Sequence, residues 1–153
     1  QLAEIAISSA RVVRLFGFEP KVAFVSHSTF GQPLTSRTKH IKNAVEILKN
    51  KNVNFEFDGD MQPDVALNEE YKSLYPFSKI VGNANILIMP GQHSAAISYK
   101  MIKTLGDAKV IGPLLIGLGL PIEIAPLRSS TSEIINLASI AAYSADVIDY
   151  KKN

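Results

Sequence analysis

Short apolar runs alternate along this chain with segments of helical periodicity, and this alternation restricts the possible folds. The runs KVAFV at 21–25 and NILIMP at 85–90 consist mainly of apolar residues, which is typical of buried strands. Between them, the apolar residues from 41 to 48 recur at the spacing of one buried helix face. We therefore predict an α/β fold, a three-layer α/β/α sandwich with a mostly parallel sheet of four or five strands.

The same patterns predict the individual elements. Helices are expected at residues 2–16, 39–50, 91–106 and 130–147, with a short helix near Pro63, and strands at 21–28, 53–60, 85–90, 109–117 and 121–126. The last two strands are separated by only three residues, so we expect an antiparallel pair or a bend. Ile5, Val12 and Phe16 are predicted to form the buried stripe of the first helix.

The size of the chain favours one folded unit. With 153 residues, 46% of them hydrophobic, it can bury a real core, and we predict a single lobe over residues 1–153. The chain begins at Gln1, already within a helical pattern, and we expect it to be a fragment of a longer polypeptide.

Composition argues against several classes of protein. The formal net charge is only +2, without a basic run interleaved with aromatics, so nucleic acid is not an expected partner. Gly and Pro interrupt the longest apolar stretches, so we expect a soluble protein without a membrane span. The absence of cysteine excludes disulfides and thiolate metal sites and fits a cytoplasmic location, and no metal site is predicted.

A hydroxyl-rich loop follows the first strand. The sequence SHSTFG at 26–31 is either an anion-binding loop or an ordinary polar loop, and Arg37 and Lys39, where the next helix begins, support the first. The candidate ligand groups in this part of the chain are Ser26, Ser28, Thr29, Gly31 and Arg37. His27 and Ser28 are not expected to form a catalytic dyad, because neighbours on an extended chain point to opposite faces.

Two acidic residues surround Gly59. Asp58 and Asp60 could hold a divalent cation or act as an acid–base pair, but Asp and Gly also build turns, and we favour a turn.

Hydroxyls and one arginine mark the start of the last predicted helix. One of the hydroxyl residues at 129–132 is expected to cap this helix, with Glu133 in its first turn. Capping leaves Arg128 unexplained, so Arg128 is a further candidate for binding an anion.

Several segments together resemble the phosphate acetyl/butyryltransferase family. They include EPKVAFVSHSTFG, DGDMQPDVAL, YPFSKIVGNANILIMP, ISYKMIKTLGDAKVIGPLLIGL and SSTSEIINLASIAA, which cover nearly the whole chain in order. The segment YPFSKIVGNANILIMP is most similar to the version of this domain in large bacterial NADP-dependent malic enzymes. The family's domain has two α/β lobes with a cleft between them, and this chain resembles the second lobe.

The resemblance implies where the catalytic groups of an acetyltransferase would lie. The family's catalytic serine, arginine and aspartate fall on Pro126, Leu127 and Glu133, and an asparagine usual in the family falls on Ala96. Proline has no hydroxyl and leucine has no charge, so the chain is not expected to transfer acyl groups, and no catalytic residue is predicted. Arg128 lies one place late and could replace the arginine only if its loop shifted.

What the resemblance implies about function is regulation. A non-catalytic domain of this kind would bind acetyl-CoA or a related small-molecule effector and support homo-oligomer formation. The backbone at Gly112 and Pro113 is a further candidate for binding such an effector. No cofactor is expected in this chain. NADP and a divalent metal would belong to an upstream malic-enzyme domain. The alternatives are an active phosphate acetyltransferase and a purely structural oligomerisation domain.

Overall fold

The computed structural model describes residues 1–33, 35–106 and 108–150, without the side chains of residues 37 and 147–150. Its elements are α1 (Leu2–Leu15), β1 (Lys21–Val25), α2 (Ser36–Asn50), β2 (Glu56–Met61), α3 (Pro63–Leu67), α4 (Glu69–Lys72), β3 (Ile86–Ile88), α5 (Gln92–Leu105) and α6 (Thr131–Tyr150). Gln1–Tyr99 form one compact unit and Lys100–Asn153 form a second. The single lobe expected over 1–153 stays a prediction.

The sheet lies in the first unit and is parallel throughout. Its strand order is β2-β1-β3, and β1 pairs in parallel with both neighbours. The predicted parallel α/β architecture is confirmed. The expected number of strands, four or five, is wrong, because the described part of the chain contains three.

The two missing strands are those expected at 109–117 and 121–126, which lie in irregular backbone of the second unit. Gly112 has φ +126° and is followed by Pro113, which has no N–H to donate to a sheet. The N–H of Leu115 donates to the carboxylate of Glu123 at 3.2 Å rather than to a neighbouring strand. The apolar pattern thus correctly predicts non-helical backbone here, but at Pro113 and Leu115 no N–H is available for a strand ladder.

Side chains on the two faces of β1 define the layers. Val22 and Phe24 belong to a buried cluster that includes residues of α1, α2 and β3. Ala23, between them, points the other way and joins a second cluster with Met61 and residues of α3. This alternation follows from the two-residue period of a strand and places helices on both faces of the sheet.

The two long helices of the first unit differ in how well the sequence predicted them. In α2 the expected apolar face is buried, and Thr35 caps the helix through a reciprocal pair of hydrogen bonds with Thr38. In α1 the expected stripe is wrong, because Ile5 and Phe16 are exposed while alanines 3, 6 and 10 are buried. No helix in the described ranges is long and apolar enough to cross a membrane.

Candidate functional site

The hydroxyl-rich loop after β1 forms a buried hydrogen-bonded chain. Ser28 is 0% exposed and donates its hydroxyl proton to Oδ2 of Asp60. The hydroxyl oxygens of Ser26 and Ser28 lie 3.2 Å apart. Because a serine has one proton and that of Ser28 goes to Asp60, Ser26 is the donor in this contact. Both protons are thus directed along a chain that ends at a buried carboxylate.

A break in the register of β2 brings Asp60 to this loop. Phe24 of β1 lies opposite Gly59, but Val25 lies opposite Met61, so Asp60 has no partner across the pair and forms a bulge. Asp60 is 0% exposed, and its Oδ1 has no partner among the described residues. The expected turn at 58–60 is wrong, because these residues lie inside β2.

Backbone hydrogen bonds fix the rest of the loop. Thr29 and Gln32 exchange two backbone hydrogen bonds of 3.1 Å, and the N–H of Phe30 donates to the carbonyl of Asp60. The hydroxyl of Thr29 accepts the N–H of Gln62 at 3.3 Å, which leaves its proton free to donate. Thr29 is therefore better placed than Ser26 or Ser28 to donate to an anion.

His27 and Ser28 were not expected to form a catalytic dyad, and their side chains do not contact each other as a dyad would. The His27 ring is exposed, and its Nδ1 lies 3.5 Å from the hydroxyl oxygen of Ser26, while Ser28 turns toward Asp60.

Gly31 allows a lysine of α2 to lie over the loop. Gly31 has φ +87°, and a Cβ built on it would be 2.7 Å from Nζ of Lys42. Lys42 is exposed, and its ammonium has no ion pair or hydrogen bond within the part of the chain that the structure describes. The side chain of Arg37, predicted for this role, lies outside the described residues, so its assignment stays a prediction.

Both carboxylate oxygens of Asp58 accept hydrogen bonds from the backbone. Its Oδ1 accepts the N–H of Gly59 at 2.9 Å, and its Oδ2 accepts the N–H of Lys79 at 2.8 Å. No group of three or more acidic or histidine side chains suited to a metal ion occurs among the described residues.

The second unit carries Gly112, Pro113 and Arg128. Gly112 and Pro113 lie in irregular backbone, and Arg128 is exposed. The N–H of Ser129 donates to the carbonyl of Pro126 at 3.0 Å, which closes a turn around Leu127 and Arg128. Leu127 is fully exposed.

The expected cap of the last helix is present at Ser130. The N–H of Glu133 donates to the Ser130 hydroxyl at 3.3 Å, and the N–H of Ser130 donates to the Glu133 carboxylate at 2.8 Å. Lys103 also binds this carboxylate, at 2.7 Å. The place of the family's aspartate is thus held by a side chain that stabilises the start of α6.

The acid titration of Glu133 tests this arrangement. Hydrogen bonds from Lys103 and then from Ser130 lower the pKa of Glu133 from 4.5 to about 2. A lowered pKa means that the stabilisation is fully present above pH 4.5 and is lost as pH falls toward 2. Carboxyl NMR should show Glu133 titrating near pH 2 in the wild type. Lys103→Met should raise this pKa toward its ordinary value, without reaching it because the Ser130 hydrogen bonds remain, and Ser130→Ala should raise it less. A wild-type pKa near 4.5 would contradict the arrangement.

The structure brings together four of the predicted ligand residues, Ser26, Ser28, Thr29 and Gly31, in one loop. Binding of a ligand by any predicted residue stays a prediction. Sequence reasoning missed Phe30 and Lys42, although a lysine in the second turn of α2, the helix that follows a glycine-containing loop, was a usable signal.

One family model and several known proteins match the chain. The model described as phosphate acetyl/butaryl transferase matches residues 1–142. An NADP-dependent malic enzyme from Rhizobium meliloti is 46% identical over 145 residues, which are 95% of this chain and 19% of that protein. A phosphate acetyltransferase from Clostridium acetobutylicum is 37% identical over 147 residues, covering 95% of this chain and 44% of that protein.

Solved structures agree with these matches. A phosphotransacetylase from Streptococcus pyogenes has a TM-score of 0.89 and 35% identity, with 95% of this chain and 44% of that chain covered. The chain thus spans about a fifth of the malic enzyme and less than half of the transferases that it matches.

Proposed function

Because the chain belongs to the phosphate acetyl/butaryl transferase family, as its resemblance predicted, we propose that it is the regulatory, non-catalytic domain of an NADP-dependent malic enzyme. In this role it binds acetyl-CoA or a related effector and supports oligomer formation. The oxidative decarboxylation of malate to pyruvate, with its NADP and divalent metal, belongs to an upstream domain of a cytoplasmic parent enzyme.

The turn before α6 is the single observation that carries the non-catalytic assignment. The positions where the resemblance places a serine and an arginine hold Pro126 and Leu127, and Leu127 points entirely into solvent. Glu133, at the place of the aspartate, is bonded to Lys103 and Ser130. The groups that would stabilise charge in acyl transfer are therefore replaced or already occupied.

Cationic and hydroxyl groups without partners support effector binding. In the first unit these are the Thr29 proton and the Lys42 ammonium, and in the second unit Arg128 is exposed on its turn. Acetyl-CoA is an anion through its phosphates, so such groups are suited to bind it.

Exposed apolar side chains of the second unit support oligomer formation. Leu105, Leu120 and Leu127 are each more than two-thirds exposed. Large apolar side chains that a partner would cover are typical of interaction surfaces.

Thermal unfolding with acetyl-CoA tests effector binding. At a ligand concentration about a hundredfold above Kd, binding adds ~2.7 kcal/mol, so Tm should rise by about 5 to 10 °C. Arg128→Ala should reduce this rise, whereas Arg11→Ala, an exposed arginine on α1, should not. An unchanged Tm at millimolar acetyl-CoA would leave only the structural role.

The exposed position of Arg128 favours the second candidate function, that of an active phosphate acetyltransferase. It is exposed beside the place where the resemblance expects an arginine, and acyl transfer that depends on Arg128 would establish this alternative.

A further inference from the structure

An open cavity lies between α2 and the bulged end of β2. Its volume is about 380 Å³, within the range of small-molecule sites. Phe30 and Val45 supply apolar walls, Lys42 and Lys49 lie at the α2 side, and Gly59 and Asp60 belong to the β2 side.

Phe30 is held in place at one wall of this cavity. Its backbone has φ +50°, and its N–H donates to the carbonyl of Asp60. Its ring centroid lies 4.8 Å from that of Phe77, in an edge-to-face contact, and 5.4 Å from that of Tyr75, in a tilted contact. An aromatic ring fixed by two others is a preorganised surface for a flat ligand.

The two lysines at the cavity differ in their partners. Lys49 forms an ion pair with Glu46. Lys42 has no ion pair within the described ranges, and its Nζ lies over Gly31. Lys42 is therefore the cation available to a bound anion, and Lys49 is a matched control on the same helix.

The carboxylates that line the cavity have hydrogen-bond or ion-pair partners, except for Oδ1 of Asp60. Glu46 pairs with Lys49, Asp58 accepts two backbone N–H groups, and Asp60 accepts the Ser28 hydroxyl. Each of these bonds offsets part of the negative charge that would oppose an anion.

We propose that this cavity binds a nucleotide, with the base stacked on Phe30 and a phosphate paired with Lys42. This inference rests on the proposed function, because it assigns the purine nucleotide half of an acyl-CoA effector to this cavity. A planar base matches the fixed aromatic wall, and a phosphate matches the unpaired ammonium of Lys42.

Titration of the 153-residue chain with adenosine 3′,5′-bisphosphate, monitored by calorimetry and by amide NMR, tests the proposal. The amides of Gly31 and Gly59 should shift. Adenosine and inorganic pyrophosphate, which each lack one half of the ligand, should bind about tenfold more weakly or worse. Phe30→Leu should raise Kd roughly tenfold and Lys42→Met roughly three- to tenfold, whereas Lys49→Met should change Kd less than about twofold.

Two results overturn the proposal: no binding of the bisphosphate, or equal losses in Lys42→Met and Lys49→Met. If acetyl-CoA binds and its Kd is unchanged in Phe30→Leu and Lys42→Met, the proposed function stands and this placement fails. If neither acetyl-CoA nor the bisphosphate binds, both fail. Lys42 is on the surface, so Lys42→Met tests the site even if Phe30→Leu does not fold.

Discussion

Gly59→Ala is expected to lower the free energy of unfolding by about 3 to 5 kcal/mol, because the new methyl group meets both a forbidden backbone angle and a packed neighbour. Gly59 has φ +147°, a region that is essentially restricted to glycine. A Cβ there would be 2.7 Å from Cβ of Phe24 and 2.8 Å from its carbonyl oxygen. Phe24 is fully buried in the central strand, so it cannot move aside at low cost.

Urea unfolding of Gly59→Ala, compared with Gly17→Ala, separates these two causes. Gly17 has φ +83° but no atom within 4 Å of its Cβ position, so that variant carries only the backbone cost, about 1 to 2 kcal/mol. Equal losses of stability in the two variants would show that the contact with Phe24 adds nothing to the cost, and would contradict the close approach of β2 to β1 at Phe24. A loss below 1 kcal/mol for Gly59→Ala would contradict the geometry of the bulge that places Asp60.

Patterns of large apolar residues and capping groups predicted much of the fold. Residue type and spacing predicted the buried face of α2, the short strands β1 and β3, the cap at Ser130 and the parallel arrangement of the sheet. In α1 the signal was misleading because alanines 3, 6 and 10 are buried, whereas the larger Ile5 and Phe16 are exposed. Small residues on a helix allow close packing, but a hydrophobic pattern gives them little weight.

The candidate site was predicted less completely. The sequence indicated the loop at 26–31 but not the carboxylate beneath it, since Asp60 reaches Ser28 only through a register break 32 positions along the chain. Asp-Gly-Asp is typical of turns, and a bulge inside a strand leaves no distinct local signal. Lys42 was missed because its relation to Gly31 depends on how α2 packs beside the loop.

Acetyl transfer from acetyl-CoA to inorganic phosphate is expected to be at least about 10⁴-fold slower in this protein than in a transferase that has the catalytic serine and arginine. Removal of one group that stabilises transition-state charge typically costs about 10²- to 10³-fold, and here two such groups are absent. Pro126 cannot interact with the CoA thiol through a hydroxyl, and Leu127 cannot neutralise a phosphate.

Under the proposed function the chain is one part of a longer polypeptide, and the resemblance implies a cleft formed by two lobes, so the assay should be run on that longer polypeptide. The phosphate acetyltransferase from Clostridium acetobutylicum, 37% identical to this chain, is the positive control. Arg128→Ala and Arg11→Ala form the matched pair, because both arginines are exposed and only Arg128 lies beside the catalytic positions.

The rate of acetyl-phosphate formation at saturating acetyl-CoA is thus the most direct test of the proposal that this domain binds an effector without acting on it. We expect no detectable acetyl phosphate from the wild type or either variant, at acetyl-CoA concentrations that do raise Tm. Turnover within about a hundredfold of the positive control, abolished by Arg128→Ala and retained in Arg11→Ala, would show that Arg128 serves as the catalytic arginine and would contradict the regulatory assignment.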